Sequence, residues 1–149
     1  MAETLGSLCD KLTIVKLKQW HTQDEAKLAS LAMQAVLLGA EIDDFLSAAI
    51  SGALPIERLS FAANKVYKGE GYDTSATDEK SLGGIISRLA KINCQLWHEQ
   101  EKVYEFEKVP IEEKDKVVKA LAELNLMRNQ CIDSIDQDLI LAVARGKLV

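Results

Sequence analysis

The longest stretch of unbroken helical periodicity, Leu82 to Glu107 (LGGIISRLAKINCQLWHEQEKVYEFE), limits what the rest of the chain can build around it. At 100° per residue, Leu82, Ile86, Leu89, Asn93, Trp97, Gln100 and Tyr104 lie within about 40° of one line, a stripe wide enough to face a core. Asn93 and Gln100 interrupt that stripe with amides. An amide buried without a partner costs roughly 1 to 3 kcal/mol, so the pattern predicts polar groups supplied by neighbouring helices.

The flanking sequence reads as further helices. Glu3 to His21 carries Leu5, Leu8, Leu12 and Val15 on one side, with Ile14, Leu17 and Trp20 spreading toward another. A helix apolar on more than one face is either sandwiched between two others or exposed as an oligomer contact. After a break at His21 to Asp24, Leu28, Leu31, Ala35, Leu38, Ile42, Phe45, Leu46 and Ala49 mark a second helix stopped by Ser51-Gly52. Pro55 suits the first turn of a short third helix, Ile56 to about Tyr67. Gly69 to Lys80 reads as a long loop and candidate lid, with Thr77 or Asp78 expected to cap the central helix. Lys108-Val109-Pro110 is a tight turn into a last helix reaching Ala144, with Val117, Val118, Leu121, Leu124, Ile132, Ile135 and Leu139 as its stripe. So short a link makes the central and last helices antiparallel neighbours. The expectation is a single all-α domain over 1–149, an antiparallel helical bundle of four main helices plus one short helix. The second, central and last helices should form most of its core.

Composition narrows the function classes. A net charge of −5 without a basic block argues against nucleic-acid binding, which draws its affinity from Lys/Arg excess. The most apolar run, Leu28 to Ala40, is far short of the ~20 residues a membrane span requires. Cys9, Cys94 and Cys131 are widely spaced, with no CxxC, and read as free thiols in a reducing compartment. The start MAETLGSLCDK lacks a secretory pattern, so a cytoplasmic location is expected. GxSxG, GxGxxG and GxxxxGK[ST] do not occur, and no cofactor is expected.

Two polar groupings remain. A turn centred on Val109 would place Asn93 beside Asn125 and Arg128 beside Ala90 on the two antiparallel helices. Arg128 cannot lose its charge, so once buried it needs a carboxylate, several carbonyls or a bound anion. One reading is an internal network in which Asp10, Glu101 or Asp136 answers the arginine. The other is a polar pocket where Arg128, Asn93 and Asn125 hold a small phosphate or carboxylate ligand. Cys94, His98, Glu101 and Glu105 form the second grouping, on one flank of the central helix, with His98, Glu101 and Glu105 as alternative metal ligands. Glu41 and Asp44 have a spacing that can hold Mg²⁺ if a second acidic helix faces them.

The segments Leu8-Cys9-Asp10-Lys11-Leu12-Thr13-Ile14-Val15-Lys16-Leu17-Lys18 and Leu89 to Glu101 (LAKINCQLWHEQE) resemble two signatures of small uncharacterised bacterial all-helical domains. Those carry a D-K-[IL]-T-I-x-x-[IL]-K start and an I-N-x-x-L-W-x-x-E-D centre, and occur beside or fused to glycosyltransferases of surface-polysaccharide loci. The likeness extends to Arg128-Asn129; Gln100 and Glu101 stand where the family pattern is acidic, which weakens a shared carboxylate pair. It implies a context rather than an activity, and it picks out Asp10, Lys11, Thr13, Asn93 and Trp97. The expected function is an accessory protein that binds a partner or small anionic ligand, homo-oligomeric through the first helix. The alternative is a metal-dependent hydrolase of a phosphorylated small molecule, similar to all-α pyrophosphohydrolases in its acidic helices. A third reading, a structural dimer module, predicts that Arg128→Met is harmless.

Overall fold

The computed structural model describes residues 2–61 and 81–146. Over these the protein is all-α: α1 (Leu5–His21), α2 (Glu25–Ser51), α3 (Leu82–Tyr104) and α4 (Ile111–Ala144), with 3₁₀ turns at Ile56–Arg58 and Phe106–Lys108.

Each helix end follows from local chemistry. Thr4 begins α1 with a reciprocal capping box: its hydroxyl accepts from the Ser7 N–H at 3.2 Å, while the Ser7 hydroxyl accepts from the Thr4 N–H at 2.8 Å. Asp24 caps α2 by accepting from the Lys27 N–H at 3.0 Å, and Gly52 ends it in the left-handed region at φ 76°. The cap of α3 is Ser81, whose Oγ accepts from the Gly84 N–H at 3.1 Å, and not Thr77 or Asp78, which lie outside the described residues. Pro110 precedes α4, where its missing N–H costs nothing.

The short third helix is corrected to a single 3₁₀ turn, after which Leu59 to Phe61 are no longer helical. Pro55, extended at ψ 146°, begins the turn, and buried Leu59 anchors its far side. The remainder of that expected helix and the Gly69 to Lys80 loop fall outside the described residues.

A second correction concerns the centre of the bundle, which is α1. It packs against α2, α3 and α4, and contributes Leu5, Leu8, Cys9 and Val15 to the interior. By contrast α2 buries only Leu31 and Ala49 and is held chiefly by α1. The main core cluster joins Leu5 and Cys9 to Ile85, Leu89 and Ile92 of α3 and to Cys131, Ile132, Ile135 and Leu139 of α4.

α1 reaches α4 so closely at Gly6 that a Cβ there would overlap the Ile132 carbonyl oxygen. On α3 the buried line is rotated toward Ile85 and Ile92, and Tyr104, expected in the stripe, is 77% exposed. The reason is length: α1 ends at His21, whose ring lies against Trp97, so the last turns of α3 run on past it.

Candidate functional site

Three helices bring one polar cluster together inside the bundle. Asp10 projects from α1 and is 5% exposed. Arg128, from α4, donates to it through two nitrogens: Nε to Oδ1 at 2.8 Å and Nη2 to Oδ2. This fork is the strong form of an ion pair, and it raises the Arg128 pKa further above its ordinary value against the opposing pull of burial. Asn93, from α3, is 1% exposed and donates its amide N–H groups to Asp10 Oδ1 at 2.9 Å and Thr13 Oγ1 at 2.7 Å. The Thr13 hydroxyl in turn donates to the Asp10 carbonyl at 2.8 Å.

The amide on the central helix thus finds its partners on α1, one helix away from where equal-depth pairing across the Val109 turn placed them. Asn125 is corrected out of the cluster: its amide donates to the Leu121 carbonyl of its own helix at 3.0 Å. Lys11 points outward to Glu3, with its side chain 52% exposed. Gln100 is exposed. Thr13, which composition and periodicity did not single out, completes the network. Of the carboxylates expected to answer Arg128, Asp10 does so. An anion at Arg128 would meet only the guanidinium N–H groups that Asp10 leaves free, beside the Asp10 charge. The Asn93 Oδ1 oxygen is the one buried side-chain polar atom among the described residues that accepts no hydrogen bond from the protein.

Asp136 has a different task. Its Oδ1 accepts from the Gly6 N–H at 2.7 Å, and the Thr4 side chain also bonds to it. The carboxylate thereby holds the first turn of α1, whose N–H groups have no partner within the helix. Burial pushes its pKa up to about 6 despite those hydrogen bonds, with Asp133 adding to the rise.

No protein-family model, curated protein or solved structure matches this chain. Chemistry must therefore be read from the side chains alone. Among the described residues, no three His, Cys, Asp or Glu side chains are grouped so that they could hold a metal ion. The alternative ligand set is accordingly not assembled. Glu101 Oε1 accepts from Trp97 Nε1 at 3.0 Å, its Oε2 sits 3.5 Å from His98 Nδ1, and Glu105 pairs with Lys108 at 2.8 Å. Glu41 and Asp44 line a cleft with Phe45, Arg58 and Phe61 rather than facing a second acidic helix.

The three cysteines are free thiols, with Cys9 and Cys131 buried. Burial, reinforced by Asp136 and Asp10, pushes the Cys9 thiol up to about 11, and burial also raises Cys131. Neither forms the thiolate that nucleophilic chemistry requires.

Proposed function

We propose that the protein is a non-catalytic accessory module that docks one amphipathic helix of another protein on the outward face of α2. The observation carrying this reading is that α2 is apolar on two opposite faces, of which only one is covered among the described residues. Leu31, Leu38, Ile42, Phe45 and Ala49 turn inward or lie half-buried. On the other side Ala29, Met33, Val36 and Ala40 are exposed and lie within about 40° of one line, which the small exposed Ser47 continues. Met33 and Val36 are 61% and 69% exposed, and Leu37 on the shoulder 54%.

The chemistry of the rim selects the occupant. Glu25 near one end and Asp43 and Asp44 near the other are exposed, and stand within about 60° of the same line, with no base among them. A second copy laid antiparallel would bring Glu25 against Asp43 and Asp44. The exposed apolar line is also only one helix face wide, running from Ala29 to Ser47. A single helix with an apolar stripe and lysine or arginine at its ends fits both constraints. The small side chains of Ala29, Ala40 and Ser47 allow its backbone to approach closely. The homo-oligomer expected through the first helix finds little surface there, since every apolar side chain of α1 except Trp20 is buried or half-buried. The resemblance to domains found beside glycosyltransferases supports an accessory role.

The test uses the full chain and a synthetic amphipathic helix of leucine and alanine with lysine at both ends. The chain alone should sediment as a monomer. The peptide binds saturably, Val36→Glu abolishes binding, and Asp43→Asn combined with Asp44→Asn weakens it and flattens its salt dependence. A dimer of the chain that Val36→Glu dissociates would refute this choice of occupant, and peptide binding indifferent to Val36→Glu would refute the face.

A further inference from the structure

At the end of the bundle where α1 turns into α2, a cleft of about 360 Å³ opens between those helices and α3. Its wall includes Lys18, His21, Lys27, Gln34 and Trp97, over an apolar floor at Leu31. That volume lies in the range of small-molecule sites, which are mostly apolar with a few placed polar groups.

The aromatic wall is a pair of stacked rings. His21 stacks on the Trp97 indole with ring centroids 4.7 Å apart and planes 23° from parallel. The indole N–H is fixed by Glu101 at 3.0 Å. His21 Nδ1 lies 2.8 Å from the Leu17 carbonyl, so that nitrogen carries the proton, and Nε2 remains as an acceptor in the neutral ring.

The charge of the cleft is opposite to that of the protein. No carboxylate lines it, although the chain carries a net charge of −5. Lys27 Nζ makes a loose ion pair with Asp24 at 3.9 Å, and Lys18 makes no ion pair among the described residues. Ser30 and Gln34, hydrogen-bonded to each other at 3.3 Å, present a hydroxyl and an amide on the α2 side.

We propose that this cleft binds a small aromatic anion, with Lys18 and Lys27 holding its phosphate or carboxylate and the His21–Trp97 stack receiving its ring. The site is separate from the outward face of α2 and from the Asp10–Arg128 network, and either can fail without affecting it.

The chain contains two tryptophans, so Trp20→Phe leaves Trp97 as the sole indole reporter. Into that variant we would titrate phenyl phosphate, benzoate, phenol and inorganic phosphate, following Trp97 fluorescence and the indole N–H resonance. Phenyl phosphate or benzoate should saturate, and the tighter of the two identifies the anionic group. Phenol and inorganic phosphate should each bind at least about tenfold more weakly, because each lacks one half of the recognition. Lys18→Met combined with Lys27→Met should weaken the aromatic anion by about tenfold or more while leaving the melting temperature unchanged, since both lysines are exposed. The proposal is overturned if neither aromatic anion saturates, if inorganic phosphate binds as tightly as phenyl phosphate, or if the double lysine variant binds as well as its parent.

Discussion

Asp10 and Arg128 are unequally placed, and the inequality fixes what their substitutions do. The Asp10 side chain is 7% exposed and the Arg128 side chain 33%. A guanidinium that loses Asp10 can bend toward water on its long stem; a carboxylate that loses Arg128 cannot leave. Arg128→Met should therefore cost about 3 kcal/mol and Asp10→Asn about 1 to 2 kcal/mol, read from urea unfolding midpoints at unchanged slope. The structural dimer module reading expects instead that Arg128→Met leaves stability unchanged or raised, and the same unfolding midpoint decides between the two. Cysteine reactivity belongs to the same scale. Cys94 is half-buried, while Cys9 and Cys131 are buried with raised pKa values, so iodoacetamide should modify Cys94 first in the native protein. Mass spectrometry of peptides after a short pulse reads the order, and modification of Cys9 ahead of Cys94 would contradict it.

At the scale of elements, the start of α1 is pinned to α4 by a hydrogen-bonded carboxylate and by contact. Gly6→Ala would drive a methyl group into the Ile132 carbonyl oxygen, and neither backbone can yield without lifting α1 from α4. The expected loss is about 2 kcal/mol or more, against less than about 0.5 kcal/mol for Gly83→Ala, where the added methyl meets open space. Asp136 makes the same junction sensitive to pH. Its folded pKa is raised from 3.8 to about 6, so the folded chain holds the proton more tightly than the unfolded one. Stability from this group is complete below about pH 4, falls as pH rises toward 6, and is gone above that. The loss is on the order of 2 to 3 kcal/mol. Asp136→Asn should flatten the profile in that window, and an unchanged slope between pH 4 and 6 would show that another group sets it.

On the scale of the whole molecule, α1, α3 and α4 form the cooperative body and α2 is an outlying helix. Few of its apolar residues are buried, and the packing it has is mainly with α1. Hydrogen exchange should accordingly show α2 opening at a lower free energy than α4, with Ala49 and its neighbours, nearest the core cluster, as the last of α2 to exchange. If α2 exchanged only through global unfolding, it would belong to the cooperative body with the other three helices.

Helix number, approximate bounds and the α3–α4 turn were legible in the chain because periodicity, caps and proline act over a few residues. Asn93 and Arg128 stood out for the same reason, being polar groups on apolar stripes. The partner that joins them was legible only as one of three carboxylates, Asp10, Glu101 or Asp136, and sequence pattern could not choose among them. Asp10 lies 118 residues from Arg128 and 83 from Asn93, and local pattern carries no information across such distances. Nor could periodicity choose which helix would be enclosed: α1 read as apolar on more than one face and so as either sandwiched or an oligomer contact, α2 read as having one apolar stripe, and only packing put α1 in the centre and left α2 with an exposed face. Local sequence thus determined the rods and their anomalous side chains. The tertiary structure decided which surfaces met, because burial rewards apolar area wherever it is covered and depends on the partner that covers it.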